Sequence, residues 1–187
     1  MTGGMALRTA QDVYAAEGMS RSFGTALLVV SLFFFILFRS FKYGVLSLIP
    51  SVLPILLTGG VAGLLGVYLD LNTMLVGAMT MGIAVDDSIH VMSRYLAAKE
   101  SGHSTHQAIT RAINESGRAV IFSSAVLILG FSVFCLASFT TIIYVGLFGS
   151  IIMFLALLGD LLLLPAILFW IEGEDHSHES GQLSDVS

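Results

Sequence analysis

The chain is short of charge. Asp, Glu, Lys and Arg together make up 11% of its 187 residues, where soluble domains carry about 25%. That deficit excludes an ordinary water-soluble globule, which needs more ionised side chains to cover it. Cysteine is nearly absent. The single Cys135 excludes an intrachain disulfide and, set in an apolar run, reads as a small buried hydrophobe. The eight basic residues form no patch, so nucleic acid is not an expected partner. The first 22 residues contain Asp12 and Glu17 and no early apolar core, which argues against a signal peptide. What the sequence has instead is hydrophobic length. Apolar residues reach 56% and fall in runs long enough for a hydrocarbon core about 30 Å thick, which takes about 20 helical residues. The expected class is an integral membrane protein whose first partner is the lipid bilayer.

The formal net charge of −5 is a poor guide to partners. Much of it comes from the tail between Glu172 and Asp185 and from acids inside apolar runs. In order, residues 1–21 are mixed, with Ala6, Leu7, Ala10, Val13 and Tyr14 at helical spacing, and predict a short amphipathic lead-in. Five spans follow, at about Phe23–Phe38, Val45–Leu69, Thr73–Met92, Ala119–Ala137 and Ile142–Trp170. Asp70, Leu71 and Asn72 mark a turn between the second and third. Pro50 and Pro54 give the second span a bend, and Gly59 with Gly63 permits close helix approach. Residues 93–118 form the longest polar interval. Ser104-Thr105-His106-Gln107 resembles a capping box, and Ala108, Ile109, Ala112 and Ile113 predict an amphipathic helix on the membrane surface, ending near Gly117. The fifth span is about 43 Å long if helical, more than a straight crossing needs. It must tilt, bend at Pro165 or extend to the interface, where Trp170 fits as an anchor.

Arg39, Lys42, Arg94, Lys99, Arg111 and Arg118 fall in loops on one side, and Arg8 and Arg21 on the other. The positive-inside rule puts the first set in the cytoplasm, the N-terminus outside and the C-terminus inside.

The informative stretch is Met81-Gly82-Ile83-Ala84-Val85-Asp86-Asp87-Ser88-Ile89-His90. A central Asp in a spanning helix costs about 2.5 to 3.5 kcal/mol on insertion scales, and such groups usually face a bundle interior or a water path. The alternative is solvation near the inner interface. Ala78, Gly82, Asp86 and His90 stand four residues apart and form one stripe, with small residues that let another helix approach the acid. Asp87 is turned about 100° away. Ser123, Ser124 and Ser132 on the fourth span are candidate donors to a carboxylate on the neighbouring helix. Asp160 in the fifth span is the third intramembrane acid, read either as a second relay member or as a packing polar group. His90 reads as a proton-release group or an interface histidine. The His176-x-His178 pair lacks further ligands, so no metal site is expected.

With these residues in hand, the chain resembles the RND superfamily of transporters, in particular the MMPL and hydrophobe-exporter branch and the G-x-x-x-D-D motif of Patched and sterol-sensing-domain proteins. Gly82 to His90 followed by Ser93-Arg94-Tyr95 carries the resemblance. Phe38-Arg39-Ser40, Ile49-Pro50-Ser51-Val52-Leu53-Pro54, Gly117-Arg118-Ala119, Gly130-Phe131 and Asp160-Leu161-Leu162-Leu163-Leu164-Pro165 agree with it. It implies an all-α integral membrane fold of five transmembrane helices plus a cytoplasmic amphipathic helix, half of an RND-type bundle. Residues 1–21 would be the remnant of an extracytoplasmic domain and linker, 22–171 the five-helix membrane domain, and 172–187 a disordered acidic cytoplasmic tail. The implied partners are the missing N-terminal half or extracytoplasmic domain of the transporter and a hydrophobic or lipid-like substrate; self-association stays open.

The implied activity is proton-driven export at the inner membrane. Asp86 is the primary proton site and Asp87 its partner, with Gly82, His90, Ser123, Ser124 and Asp160 in support, and protons are the coupling ion in place of any cofactor. Many branch members carry Asp-Tyr where this chain has Asp86-Asp87, and no intramembrane Lys or Arg is present as a counter-charge. Two other readings stay open: a sterol-sensing-domain-like lipid sensor without transport, and an intramembrane aspartyl protease, which Leu158-Gly159-Asp160 matches only faintly.

Overall fold

The computed structural model describes residue 21, residues 24–64, residue 66 and residues 71–173. Among these there are helices and turns and no strand. The lead-in of residues 1–20, the turn at Asp70 and the histidines of the tail lie outside the described residues.

The helices are α1 (Gly24–Phe38), α2 (Phe41–Leu64), α3 (Leu71–Glu100), α4 (Thr105–Phe134), α5 (Thr140–Leu158) and α6 (Leu164–Gly173), with one π-helical turn at Gly159–Leu163 joining the last two. Four described runs are long and apolar enough to cross a membrane: Phe41–Leu64, Leu75–Glu100, Thr105–Phe134 and Thr140–Glu172. Gly24–Phe38 is apolar and shorter. The all-helical membrane architecture expected from the sequence is the one observed. α3 packs against α2, α4 and α5, and α4 packs along α5. The largest core cluster gathers Phe34, Leu46, Met81, Val91, Met92, Tyr95, Leu164 and Leu168 from four different helices.

The fifth apolar run contains the π-helical turn, just before Pro165. Pro165 lacks an N–H and cannot bond four residues back. Just before it the helix widens, and the Leu164 N–H reaches the Gly159 carbonyl, five residues back. Gly159 also lies where a Cβ would come within 3.1 Å of Pro50 Cβ, so α2 and this turn meet closely. α5 gains similar closeness to α4 through Gly146 and Gly149. A Cβ on Gly146 would stand 2.7 Å from the Phe131 carbonyl, and one on Gly149 would stand 2.5 Å from the Phe131 ring. Gly59 and Gly63, whose spacing suggested close approach, meet nothing within 4 Å.

Two boundaries differ from expectation. The amphipathic segment does not end at Gly117. α4 runs unbroken from Thr105 into the membrane, because the apolar sequence after Gly117 outweighs a helix-interior glycine's penalty of about 1 kcal/mol. Its start is a capping box: Ser104 Oγ accepts from Gln107 N at 3.4 Å and Gln107 Oε1 accepts from Ser104 N at 3.3 Å. Glu172, assigned by sequence to the polar tail, is instead a buried residue of α6. Its partners come from α2 and α3, which no local pattern reveals.

Candidate functional site

α3 presents its acids in two directions. Ala78, Gly82, Asp86 and His90, the predicted stripe, all lie on an exposed face of the described chain. No atom stands within 4 Å of a Cβ placed on Gly82. The Asp86 and His90 side chains are 71% and 66% exposed, with His90 Nε2 3.8 Å from Asp86 Oδ1. The small residues of the stripe therefore border an open surface rather than another of the described helices.

One residue on, the helical turn carries Asp87 inward, where it is 7% exposed. Ser124 of α4 donates to Asp87 Oδ2 at 3.0 Å. Ser123 Oγ stands 3.5 Å from Asp87 Oδ1 and 3.1 Å from the Val120 carbonyl. A hydroxyl has one proton, and the shorter contact takes it, so Ser124 is the effective donor. Ser132 bonds instead within the α4–α5 contact, to Ile128 O and Ser150.

Ser88 points the other way, toward the π-helical turn. It donates to Asp160 Oδ1 at 2.5 Å and stands 3.0 Å from Ser51 Oγ of α2. Since the Ser88 proton goes to the carboxyl, Ser51 is the donor of the second bond, and the chain reads Ser51 to Ser88 to Asp160. Asp160 is fully buried, and its second oxygen has no protein partner. An ionised carboxylate so enclosed costs several kcal/mol unless further donors reach it. Such a group must take a proton or gain donors when the helices shift. Of the predicted site residues, the structure brings Asp87, Ser123 and Ser124 together, sets Asp160 on the opposite flank of α3, and leaves Gly82, Asp86 and His90 on the open face.

A further cluster at the end of the bundle was not read from the sequence. Glu172 accepts from Tyr43 at 2.5 Å and from Tyr95, with Lys99 Nζ at 3.1 Å and Lys42 Nζ at 3.7 Å. It ties α6 to both α2 and α3. On the polar part of α4, exposed Glu115 receives Arg111 at 2.7 Å and Arg94 of α3 at 3.3 Å. The Arg111 hydrogen bond holds the Glu115 carboxyl below the usual carboxylate range.

A bundle of long apolar helices with carboxyls buried between them defines a multi-span helical membrane protein. The sequence profile of the MMPL family matches residues 1–176, and the chain belongs to that family. It is 29% identical over 167 residues to a relative from Methanocaldococcus jannaschii named as a membrane protein, a match that takes in 89% of this chain. The chain spans 43% of that relative's length.

Proposed function

We propose that the chain is the membrane segment of a proton-motive-force-driven exporter of hydrophobic or lipid-like molecules, with Asp87 and Asp86 as its proton relay. The observation that carries this reading is Asp87 itself, a carboxyl buried between α3 and α4 with one effective hydroxyl donor. Protonation removes the penalty of a charge at that depth, so a bound proton and a lost one favour different helix packings. Two packings biased by one proton are what a coupled transporter needs. Asp86 and His90, on the open face one step around α3, are the route by which a proton arrives or leaves.

The open stripe of Ala78, Gly82, Asp86 and His90 takes the complementary half of the transporter as its partner. Two observations favour this. An acid and a histidine are poorly placed against lipid tails, and the chain covers under half the length of its relative. The orientation follows from the basic loops, with α2 starting and α3 ending on the cytoplasmic side of the inner membrane.

The test is export by the complete transporter carrying Asp87→Asn or Asp86→Asn under an imposed proton gradient. Both variants should insert normally, and loss of a positioned proton carrier should lower export by roughly 10²-fold or more. Export that survives both changes overturns the relay.

A further inference from the structure

The buried face of α2 carries a line of hydroxyls. Tyr43, Ser47 and Ser51 follow one another at four-residue intervals, about 6 Å of rise each, and Thr58 continues the same side two turns on. Ser47, Ser51 and Thr58 are buried. Tyr43 reaches Glu172 at one end, and Ser51 reaches Asp160 through Ser88 in the middle. Three buried side-chain oxygens among the described residues find no protein partner: Ser47 Oγ, Thr58 Oγ1 and Asp160 Oδ2. Two belong to this face of α2, and the third belongs to the turn packed against it. Folded proteins leave few such atoms unpaired without a functional or solvent-related reason. Here they are strung along one seam.

We propose that this seam is a proton path inside the five-helix unit itself, in which Asp160 binds the proton and Ser88, Ser51, Ser47 and Tyr43 lead from it to water at the bundle end, beside Glu172. This deepens the proton-coupled reading and rests on it, but it uses a flank of α3 opposite to the Ser124 contact and needs no second half. Ser51 and Ser47 are about 6 Å apart along the helix, a gap that one water bridges between hydroxyls. The proton leaving Asp160 goes to Ser88 Oγ, whose own proton passes to Ser51 and on along the line, and the hydroxyls then turn back so that Ser88 again donates to the carboxylate left behind. Because Ser88 directly follows Asp87, any slide or rotation of α3 changes the donors of both acids together. The π-helical turn that begins at Gly159 supplies slack for that movement. Among the described ionisable groups, Asp87 on α3 is the one whose field reaches Asp160. α2 brings Ser51 to that level, through Ser88, its Lys42 and Tyr43 being engaged with Glu172. On α5, Tyr144 is about 24 Å along the helix, and on α6 the acid is Glu172. Asp86 and His90 occupy the outer face of α3.

The test is pH-difference infrared spectroscopy on the purified chain in lipid bilayers, followed after a rapid pH jump. Asp160→Asn should delete one pH-dependent protonated-carboxyl band. Ser88→Ala should keep that band and shift its frequency, as loss of its hydrogen-bond donor requires. The Ser47→Ala/Ser51→Ala pair should keep its amplitude and slow its appearance by roughly 10²-fold. An Asp160→Asn spectrum identical to the native one overturns the proposal, as does a serine pair that responds at the native rate. If Asp160→Asn does not insert, the Ser88→Ala spectrum decides: a shifted band supports the path and an unshifted one overturns it. None of these measurements involves export, so a negative result leaves the Asp87 relay standing. Export that ignores Asp87 would sink the relay without touching this path.

Discussion

Asp160 and Glu172 sit about three turns apart on one helical run, both withdrawn from solvent, and their surroundings are opposites. Glu172 has two tyrosine hydroxyls and two lysines converging on it from α2 and α3. Asp160 has one serine hydroxyl and a bare oxygen. Burial alone therefore says little about what an acid does. A carboxylate supplied with donors on every side is held in one charge state and one place, and acts as a clamp. A carboxyl supplied with one donor sits in a fold that tolerates either charge state poorly, and so responds to protons and to helix movement. Asp87, with Ser124 as its effective donor, belongs with Asp160.

The comparison breaks most visibly at Glu172. Glu172→Ala would leave Tyr95 and the lysines without the charge they converge on, and removing one member of such a buried cluster costs about 3 to 5 kcal/mol. Unfolding of the purified protein in a denaturing-detergent titration should show it, and an unchanged midpoint would mean that the cluster is not a clamp. Asp160→Asn should change the same midpoint by about 1 kcal/mol or less, because the amide oxygen still accepts from Ser88 and no second bond is lost. A loss as large as that at Glu172 would make Asp160 structural as well. Glu115 sharpens the contrast from the solvent side. Its folded carboxyl lies below its unfolded range, so its contribution is present above the unfolded value and fades as pH falls through the lowered one. Glu115→Gln should flatten only that acid-side slope of stability against pH, and high salt should mask the difference.

Much of the fold was legible because membrane helices announce themselves. Long apolar runs, basic loops and the Ser104–Gln107 cap are local signals, and each run carries its own backbone hydrogen bonds. The acids were legible as anomalies, since a charge among Leu, Val and Met stands out. Their directions were not. The stripe of Ala78, Gly82, Asp86 and His90 was correctly grouped by helical spacing, but periodicity cannot say whether a face meets a helix of the same chain or opens outward. Ser88 and Ser51 went unnoticed because a serine in a spanning helix most often bonds its own backbone, as Ser31 and Thr80 do here. Only the approach of Asp160 gives Ser88 another role. Glu172 was read as tail because its four partners lie between 73 and 130 residues away in sequence, beyond any local window. The π-helical turn had a signal in Pro165, but its place at Gly159 depends on how closely α2 packs there.

The claim beneath all of this is that the single-donor acids bind protons while the many-donor acid does not. The most direct measurement is the number of protons taken up by the reconstituted chain on acidification from alkaline to mildly acidic pH. The account predicts that Asp87→Asn and Asp160→Asn each lower that number and that their combination lowers it further, while Glu172→Gln leaves it as it is. Uptake unchanged by the two aspartate substitutions, or reduced by the glutamate one alone, would contradict it.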